Sequence, residues 1–288
     1  MTAPPNVAVI GAGTMGHGIA YVAALAGCRV WLADMDEERL ADARRRIEEA
    51  FGTAIARGKC TSEAREAALS RIELAAAADE AACDAAIVIE AVPERVDLKQ
   101  RIFAAIESAV HADAMLASNT SSLSITEIAG VLRHRERMIG LHFFNPVPAM
   151  ALLEIVRGEE TSDATVERAR AFAALLGKVP IVVRDSPGFA TSRLGVVLGL
   201  EAIRMLEQGV ASAEDIDRAL ELGYNHPVGP LRLTDLVGLD VRLAIAEHLH
   251  ATLGGDTYRP PALLRDKVRR GELGKKSGQG FYHWESDR

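Results

Sequence analysis

The feature that most limits what this chain can fold into lies near its N-terminus, where Gly11-Ala12-Gly13-Thr14-Met15-Gly16 sits between two different patterns. Asn6–Ile10 is a short β-branched run and reads as a buried parallel strand, whereas Met15–Ala26 reads as a helix stopped by Gly27. Each glycine at this spacing has its own task. Gly11 permits the tight turn, Gly13 lets a pyrophosphate approach the backbone, and Gly16 allows close packing of helix on strand. Thr14 precedes and Met15 opens the helix, whose unpaired N–H groups and dipole favour an anion. A GxGxxG alone is weak evidence, and glycines used only for packing would give the same letters. Here the strand–turn–helix context is present, and a second strand, Arg29–Ala33, ends at Asp34, about 20 residues further on, as the motif requires. A carboxylate there accepts hydrogen bonds from ribose hydroxyls and repels an extra phosphate. Met35 and Asp36 follow it, so no adjacent Arg offsets that repulsion. NAD is the expected cofactor.

The pattern continues as strand–helix alternation. Asp36 can cap a long charged helix running to about Arg57, ended by Gly58. Further strands are expected at Ala85–Ala91, Met115–Ser118, Met138–His142, Leu152–Val156 and Val179–Val183. Helices are expected at Val96–Val110, Ile125–Val131 and Asp163–Leu176. Such alternation implies a doubly wound, mostly parallel α/β sheet of the Rossmann type. The character changes at Asp185-Ser186-Pro187-Gly188, which is turn chemistry and reads as a linker. Beyond it Ala190–Gln208, Ala213–Leu222, Asp240–Leu253 and Pro261–Arg270 all read as helices. The expected organisation is a cofactor domain over 1–184 and a smaller all-helical domain over 185–288, serving substrate binding and dimerisation.

With 33 basic and 40 acidic residues, the chain carries a formal net charge of −7, which argues against a general nucleic-acid or membrane-surface role. Any polyanionic ligand must find a local basic patch. Cys28, Cys60 and Cys83 form no CxxC pair and are odd in number, so reduced thiols are expected. The apolar N-terminal stretch lacks a basic leader and is broken by the glycines just described, and no apolar run reaches the roughly 20 residues of a membrane span. A cytoplasmic protein is expected.

Acid–base chemistry points to His142, in Gly140-Leu141-His142-Phe143-Phe144-Asn145-Pro146. It stands at the C-terminal end of a strand, the edge of an α/β sheet where ligands bind. Glu154 follows on the next strand. Dehydrogenating an alcohol needs a base for the hydroxyl proton while hydride leaves, and a histidine titrates near neutrality. A carboxylate on its other ring nitrogen would fix the tautomer and stabilise the imidazolium. From spacing alone, a purely structural histidine remains open. The other histidines form no metal-ligand cluster with Cys or Asp, so no metal is expected. Ser121 and Ser122 are not on a G-x-S-x-G elbow, so a serine triad is not indicated.

Together these segments resemble the L-3-hydroxyacyl-CoA dehydrogenase family, including its short bacterial 3-hydroxybutyryl-CoA members. The resemblance spans essentially the whole chain. It rests on the GAGTMG turn, Glu90-Ala91-Val92-Pro93-Glu94, Ser118 through Leu123, the run from His142 and Ser186-Pro187-Gly188-Phe189. Gly229-Pro230-Leu231, Asp235 through Asp240 and the stretch from Gly274 to Tyr282 match as well. It implies His142 as acid–base with Glu154 as its orienting partner. It also implies Glu94, Lys99, Asn145 and Lys276 near the cofactor, and Ser121 touching both substrate and nicotinamide. Arg57 matches a lysine that contacts CoA in relatives, and a guanidinium suits a phosphate equally. One position departs: where the family commonly has Asn after Pro-Gly-Phe, this chain has Ser192, which keeps a donor and an acceptor but is shorter. Ala50 likewise replaces a CoA-contacting serine. The implied reaction is reversible, NAD-dependent oxidation of a (S)-3-hydroxyacyl-CoA, short-chain by the nearest resemblance. The implied partners are an acyl-CoA and a second copy of the chain. A sister dehydrogenase for a free hydroxy acid of gulonate or carnitine type, or a non-catalytic NAD-binding protein, are the alternatives.

Overall fold

A computed structural model describes residues 3–285. The chain separates into two compact units, residues 1–186 and 187–288. The first holds β1 (Val7–Ile10), α1 (Gly16–Leu25), β2 (Val30–Ala33), α2 (Glu37–Ala56), α3 (Ser62–Leu69), β3 (Ile72–Ala75) and α4 (Ala78–Ala82). It continues with β4 (Ile87–Glu90), α5 (Val96–Ile106), β5 (Met115–Ser118) and α6 (Ile125–Ala129). It closes with β6 (Met138–Phe143), β7 (Leu152–Arg157), α7 (Asp163–Leu175) and β8 (Val179–Arg184).

The eight strands form one sheet in the order β3-β2-β1-β4-β5-β6-β7-β8. Its first six strands have the doubly wound order in which the winding reverses between β1 and β4, leaving a crevice at their C-terminal ends. The central strands are buried along their whole length, hence their continuous apolar runs rather than alternation. Every pairing is parallel except β6 with β7. Residues 144–151 are too few for a crossover, so β7 must return antiparallel. Between sheet and helices, α1 and α2 bury Ile19, Ile47 and Phe51 completely, each contributing about 1.5–3 kcal/mol relative to exposure. Asp36 caps α2 as expected, its Oδ1 accepting from the N–H groups of Glu38 (3.0 Å) and Arg39 (3.3 Å).

The second unit is helical: α8 (Thr191–Glu207), α9 (Ala213–Tyr224), α10 (Pro230–Val237), α11 (Leu239–Leu253) and α12 (Ala262–Arg269). Its core gathers Val196, Leu200 and Ile203 of α8 against Leu231, Leu239, Leu249 and Leu264. Among the described residues no helix is long and apolar enough to cross a membrane.

Three elements of the first unit and one of the second were not expected from sequence: α3, β3, α4 and α10. β3 adds an outer parallel strand beside β2. α10 begins at Pro230, because proline is tolerated at the first helical position where no N–H is needed.

Candidate active site

The β1–α1 turn is built around backbone contact. Gly11 has φ of 104°, and a Cβ there would come 2.8 Å from the carbonyl oxygen of Ala91. A Cβ at Gly16 would fall 1.8 Å from the carbonyl oxygen of Gly11, so helix and turn meet with no room for a side chain. At Gly13 the space is open. The first turn of α1 holds no acidic residue, which keeps its N-terminal dipole available to an anion. A cleft of about 760 Å³ opens here, lined by Gly11, Gly13, Thr14, Met15 and Asp34, with Leu98 and Ile102 of α5 forming apolar wall.

Asp34 lies in that cleft. Its Oδ2 accepts from Ala12 N at 2.9 Å and its Oδ1 from Asp36 N at 3.1 Å. A carboxylate has about four acceptor sites, so capacity remains for two ribose hydroxyls. Arg39 also lines the cleft, about one helical turn beyond Asp36. Its Nε is 3.3 Å from Asp36 Oδ2, so its charge is already partly answered. The donor set fits a dinucleotide without a 2′-phosphate: open backbone at the pyrophosphate turn, a carboxylate at the ribose and apolar walls beyond.

His142 and Glu154 are direct cross-strand partners on β6 and β7. His142 Nδ1 is 2.9 Å from Glu154 Oε2, with His142 6% exposed and Glu154 fully buried. An ionised carboxylate only accepts, so Nδ1 carries a proton and, in a neutral ring, the lone pair falls on Nε2. Phe144 covers the imidazole, ring centroids 4.3 Å apart. Asn119 ties the end of β6 to the loop after β5, its Oδ1 accepting from Phe143 N at 2.9 Å.

That loop carries Ser121, and Glu94 holds it. Glu94 Oε1 accepts from Thr120 Oγ1 (2.5 Å), Ser121 N (2.9 Å) and Ser122 N (3.2 Å). Burial pushes the Glu94 carboxyl upward, but Lys99 and these donors outweigh it and hold it below the usual carboxylate range. Lys99 is 1% exposed and lies behind the cleft rather than in it, 2.6 Å from Glu90 Oε1 and 3.4 Å from Glu94 Oε2. Asn145 is exposed on the loop between β6 and β7. Lys178 pins that loop: its buried Nζ donates to the carbonyls of Val147 (2.6 Å) and Met150 (2.7 Å), and burial lowers its pKa.

The other residues that the sequence points to belong to different elements. Arg57 is the exposed C-cap of α2, about 30 Å along that helix from its start near Asp34. Arg44, Arg45 and Arg46 pair with Asp42, Glu48 and Glu49 of their own helix. Ser192 stands in the first turn of α8 and Lys276 after α12, both in the second unit. Lys276 Nζ is 2.5 and 2.7 Å from the two carboxylate oxygens of Asp240. No role for Glu90, Ser118, Asn119, Thr120 or Lys178 follows from the sequence alone. The usable signal was Glu90, an acid ending an otherwise apolar strand.

Residues 6–186 match the 3-hydroxyacyl-CoA dehydrogenase NAD binding domain and residues 188–284 the C-terminal domain of the same enzymes. The chain belongs to the 3-hydroxyacyl-CoA dehydrogenase family. It is 43% identical over 280 residues to a probable 3-hydroxybutyryl-CoA dehydrogenase of Bacillus subtilis, covering 97% of each chain. It is 44% identical to the 3-hydroxybutyryl-CoA dehydrogenase of Bradyrhizobium diazoefficiens, covering 97% of this chain and 95% of that one. The crystal structure of (S)-3-hydroxybutyryl-CoA dehydrogenase from Ralstonia eutropha superposes with a TM-score of 0.94 at 41% identity, covering 98% of this chain and 99% of that one. In this dehydrogenase family the sheet unit is the NAD-binding one, so NAD is the cofactor.

A carboxylate in this cleft, Asp34, would repel a 2′-phosphate. Replacing Asp34 by Ala together with Met35→Arg removes the repelling charge and supplies a phosphate partner. Preference, read as the ratio of kcat/KM for NADPH and NADH, should move toward NADPH by about tenfold or more. Equal use of NADPH and NADH by the unaltered protein would refute this role for Asp34.

Proposed function

We propose that this protein catalyses the reversible, NAD-dependent oxidation of (S)-3-hydroxyacyl-CoA to 3-ketoacyl-CoA in the cytoplasm, with short-chain substrates such as 3-hydroxybutyryl-CoA. The observation that carries the reading is the buried His142–Glu154 pair at the functional edge of a sheet belonging to this family. In the oxidative direction Nε2 of His142 takes the hydroxyl proton, and Glu154 stabilises the resulting imidazolium through Nδ1. In reduction the same nitrogen returns the proton to the 3-oxygen. NAD, when bound, supplies the hydride acceptor. Ser121 donates a hydrogen bond to the 3-oxygen as charge develops there. Gly11, Gly13, Thr14, Met15 and Gly16 receive the pyrophosphate and Asp34 the ribose. Glu94, Lys99, Asn145 and Lys276 complete the cofactor side, Lys99 acting through Glu94. Ser192 takes the place of the family's asparagine, and Arg57 is assigned to a CoA phosphate.

Loss of NADH absorbance on adding acetoacetyl-CoA tests the reading. Turnover of gulonate- or carnitine-type free acids in its place would transfer the protein to a sister activity. NADH binding without turnover on any of these would make it a non-catalytic binder.

The same reading includes a homodimer through the helical unit. α8 buries Val196, Leu200 and Ile203 in its own core yet leaves Leu194 63% and Leu198 42% exposed, more apolar surface than one buried face accounts for. A two-fold, self-complementary contact is the commonest way soluble oligomers cover such surface. Sedimentation equilibrium at micromolar concentration should give twice the chain mass; a persistent species near 30.9 kDa would rule the dimer out.

A further inference from the structure

Glu90 has no part in the reaction proposed above. It ends β4, whose other residues are Ile87, Val88 and Ile89, and it is fully buried. A lone carboxylate inside a sheet is strongly disfavoured, so its partners define its purpose. Its Oε1 accepts from Lys99 Nζ at 2.6 Å and Val92 N at 2.7 Å, and its Oε2 from Ser118 Oγ at 2.6 Å. Lys99 also donates to Val92 O at 3.3 Å and reaches Glu94 Oε2 at 3.4 Å. Three ammonium protons thus face three protein acceptors, which leaves none for a ligand.

Two arms run from Glu90 to the loop that follows β5. In the first, Lys99 connects it to Glu94, which takes the N–H groups of Ser121 and Ser122. In the second, Ser118 Oγ accepts from Thr120 N at 3.2 Å, and the backbone carbonyl of Glu90 accepts from Asn119 N at 2.8 Å. Every backbone N–H from 119 to 122 therefore ends on Glu90 or Glu94, directly or through one serine. We infer that Glu90 is a positioning residue, the anchor of a carboxylate–ammonium–carboxylate chain, Glu90–Lys99–Glu94, that shapes the 119–122 loop and so aims Ser121. The inference rests on the dehydrogenase reading only for what Ser121 does; the shape of the loop is independent of it. Sharing Lys99 between two acids has a function here. An ammonium paired with Glu94 alone would draw that carboxylate away from the loop amides, and Glu90 takes up most of its pull.

Glu90→Gln and Ser118→Ala, made in the full chain and measured with NADH bound, test this. Hydrogen exchange read by mass spectrometry should speed up at residues 119–122 by about tenfold or more while β1 stays protected. Reduction of acetoacetyl-CoA should lose kcat on the order of tenfold. Combining Glu90→Gln with Ser121→Ala should be no slower than Ser121→Ala alone, since both act through one group. Unchanged exchange over 119–122 in both variants overturns the inference, as do effects that multiply in the double variant. Should Glu90→Gln not fold, Ser118→Ala decides by the same exchange measurement. If the unaltered protein does not reduce acetoacetyl-CoA, the dehydrogenase reading falls and the exchange result alone judges the role of Glu90.

Discussion

His142→Gln should lower kcat for acetoacetyl-CoA reduction by a factor on the order of 10² to 10⁴, the range expected when a positioned acid–base is removed. NADH affinity should stay close to that of the parent, because Asp34 and the β1–α1 turn are untouched. The glutamine preserves polarity and approximate size next to Phe144 and can still meet Glu154, but it has no group that exchanges a proton near neutral pH. Glu154→Gln should cut the rate by the same route and less severely, since its amide oxygen can still accept from Nδ1–H but no longer neutralises an imidazolium. Stopped-flow turnover together with NADH fluorescence titration separates the two effects. Near-normal kcat in the His142 variant would remove the mechanism, whereas loss of NADH binding would mean that the substitution disturbed the sheet edge itself.

The second large effect is on stability. Asp235 on α10 is 1% exposed, and its carboxylate accepts from Phe281 N (2.9 Å), Tyr282 N (2.9 Å) and Trp284 Nε1 (2.8 Å). It thereby fastens the C-terminal segment to the helical core. Beside it Asp217 takes Leu231 N, Arg232 N and the Tyr282 hydroxyl; burial, and then this acid, push the Tyr282 pKa upward. Arg232 lies over both the Tyr282 and Trp284 rings, at 4.7 and 5.3 Å. Asp235→Ala strands three donors at once, each costing about 1–3 kcal/mol when left unsatisfied. A total of about 4 kcal/mol is expected, which for a unit of this size lowers Tm by about 15 °C or more. Asp235→Asn, which keeps one good acceptor, should fall between. Calorimetry showing both variants within about 3 °C of the parent would contradict this account.

Legibility in the sequence followed the physics of each element. The β1–α1 turn was readable because glycine spacing, strand and helix all constrain one another. β4 and β5 were readable because a strand buried on both faces is continuously apolar. β3 was not: Ile72 and Ala75 are buried, but Glu73 and Leu74 are exposed, and four residues of mixed burial among alanines carry little signal. α3 and α4 failed for the same reason, being short and polar or alanine-rich. The His142–Glu154 pairing could only be suggested from spacing, because it depends on β7 running antiparallel, although the short 144–151 connection already demanded that. Glu90, Ser118 and Thr120 were invisible as a group. Their hydrogen bonds join the ends of neighbouring strands β4 and β5, which lie 28 residues apart in the chain at Glu90 and Ser118.

The antiparallel pairing of β6 and β7 also decides where this protein tolerates change in length. Side chains alternate faces along a strand, so deleting one residue from β7 would set Leu153 or Ile155 opposite His142 and turn Glu154 to the other side of the sheet. The core resists that slip, since Leu153, Ile155 and Val156 are all fully buried and their burial fixes the pairing of His142 with Glu154. Insertions in the connecting segment at its exposed positions 148–150 leave the strand alignment intact, provided that the Val147 and Met150 carbonyls still meet Lys178. Chain-length variation that preserves activity should therefore collect in that loop and be absent from the two strands it joins.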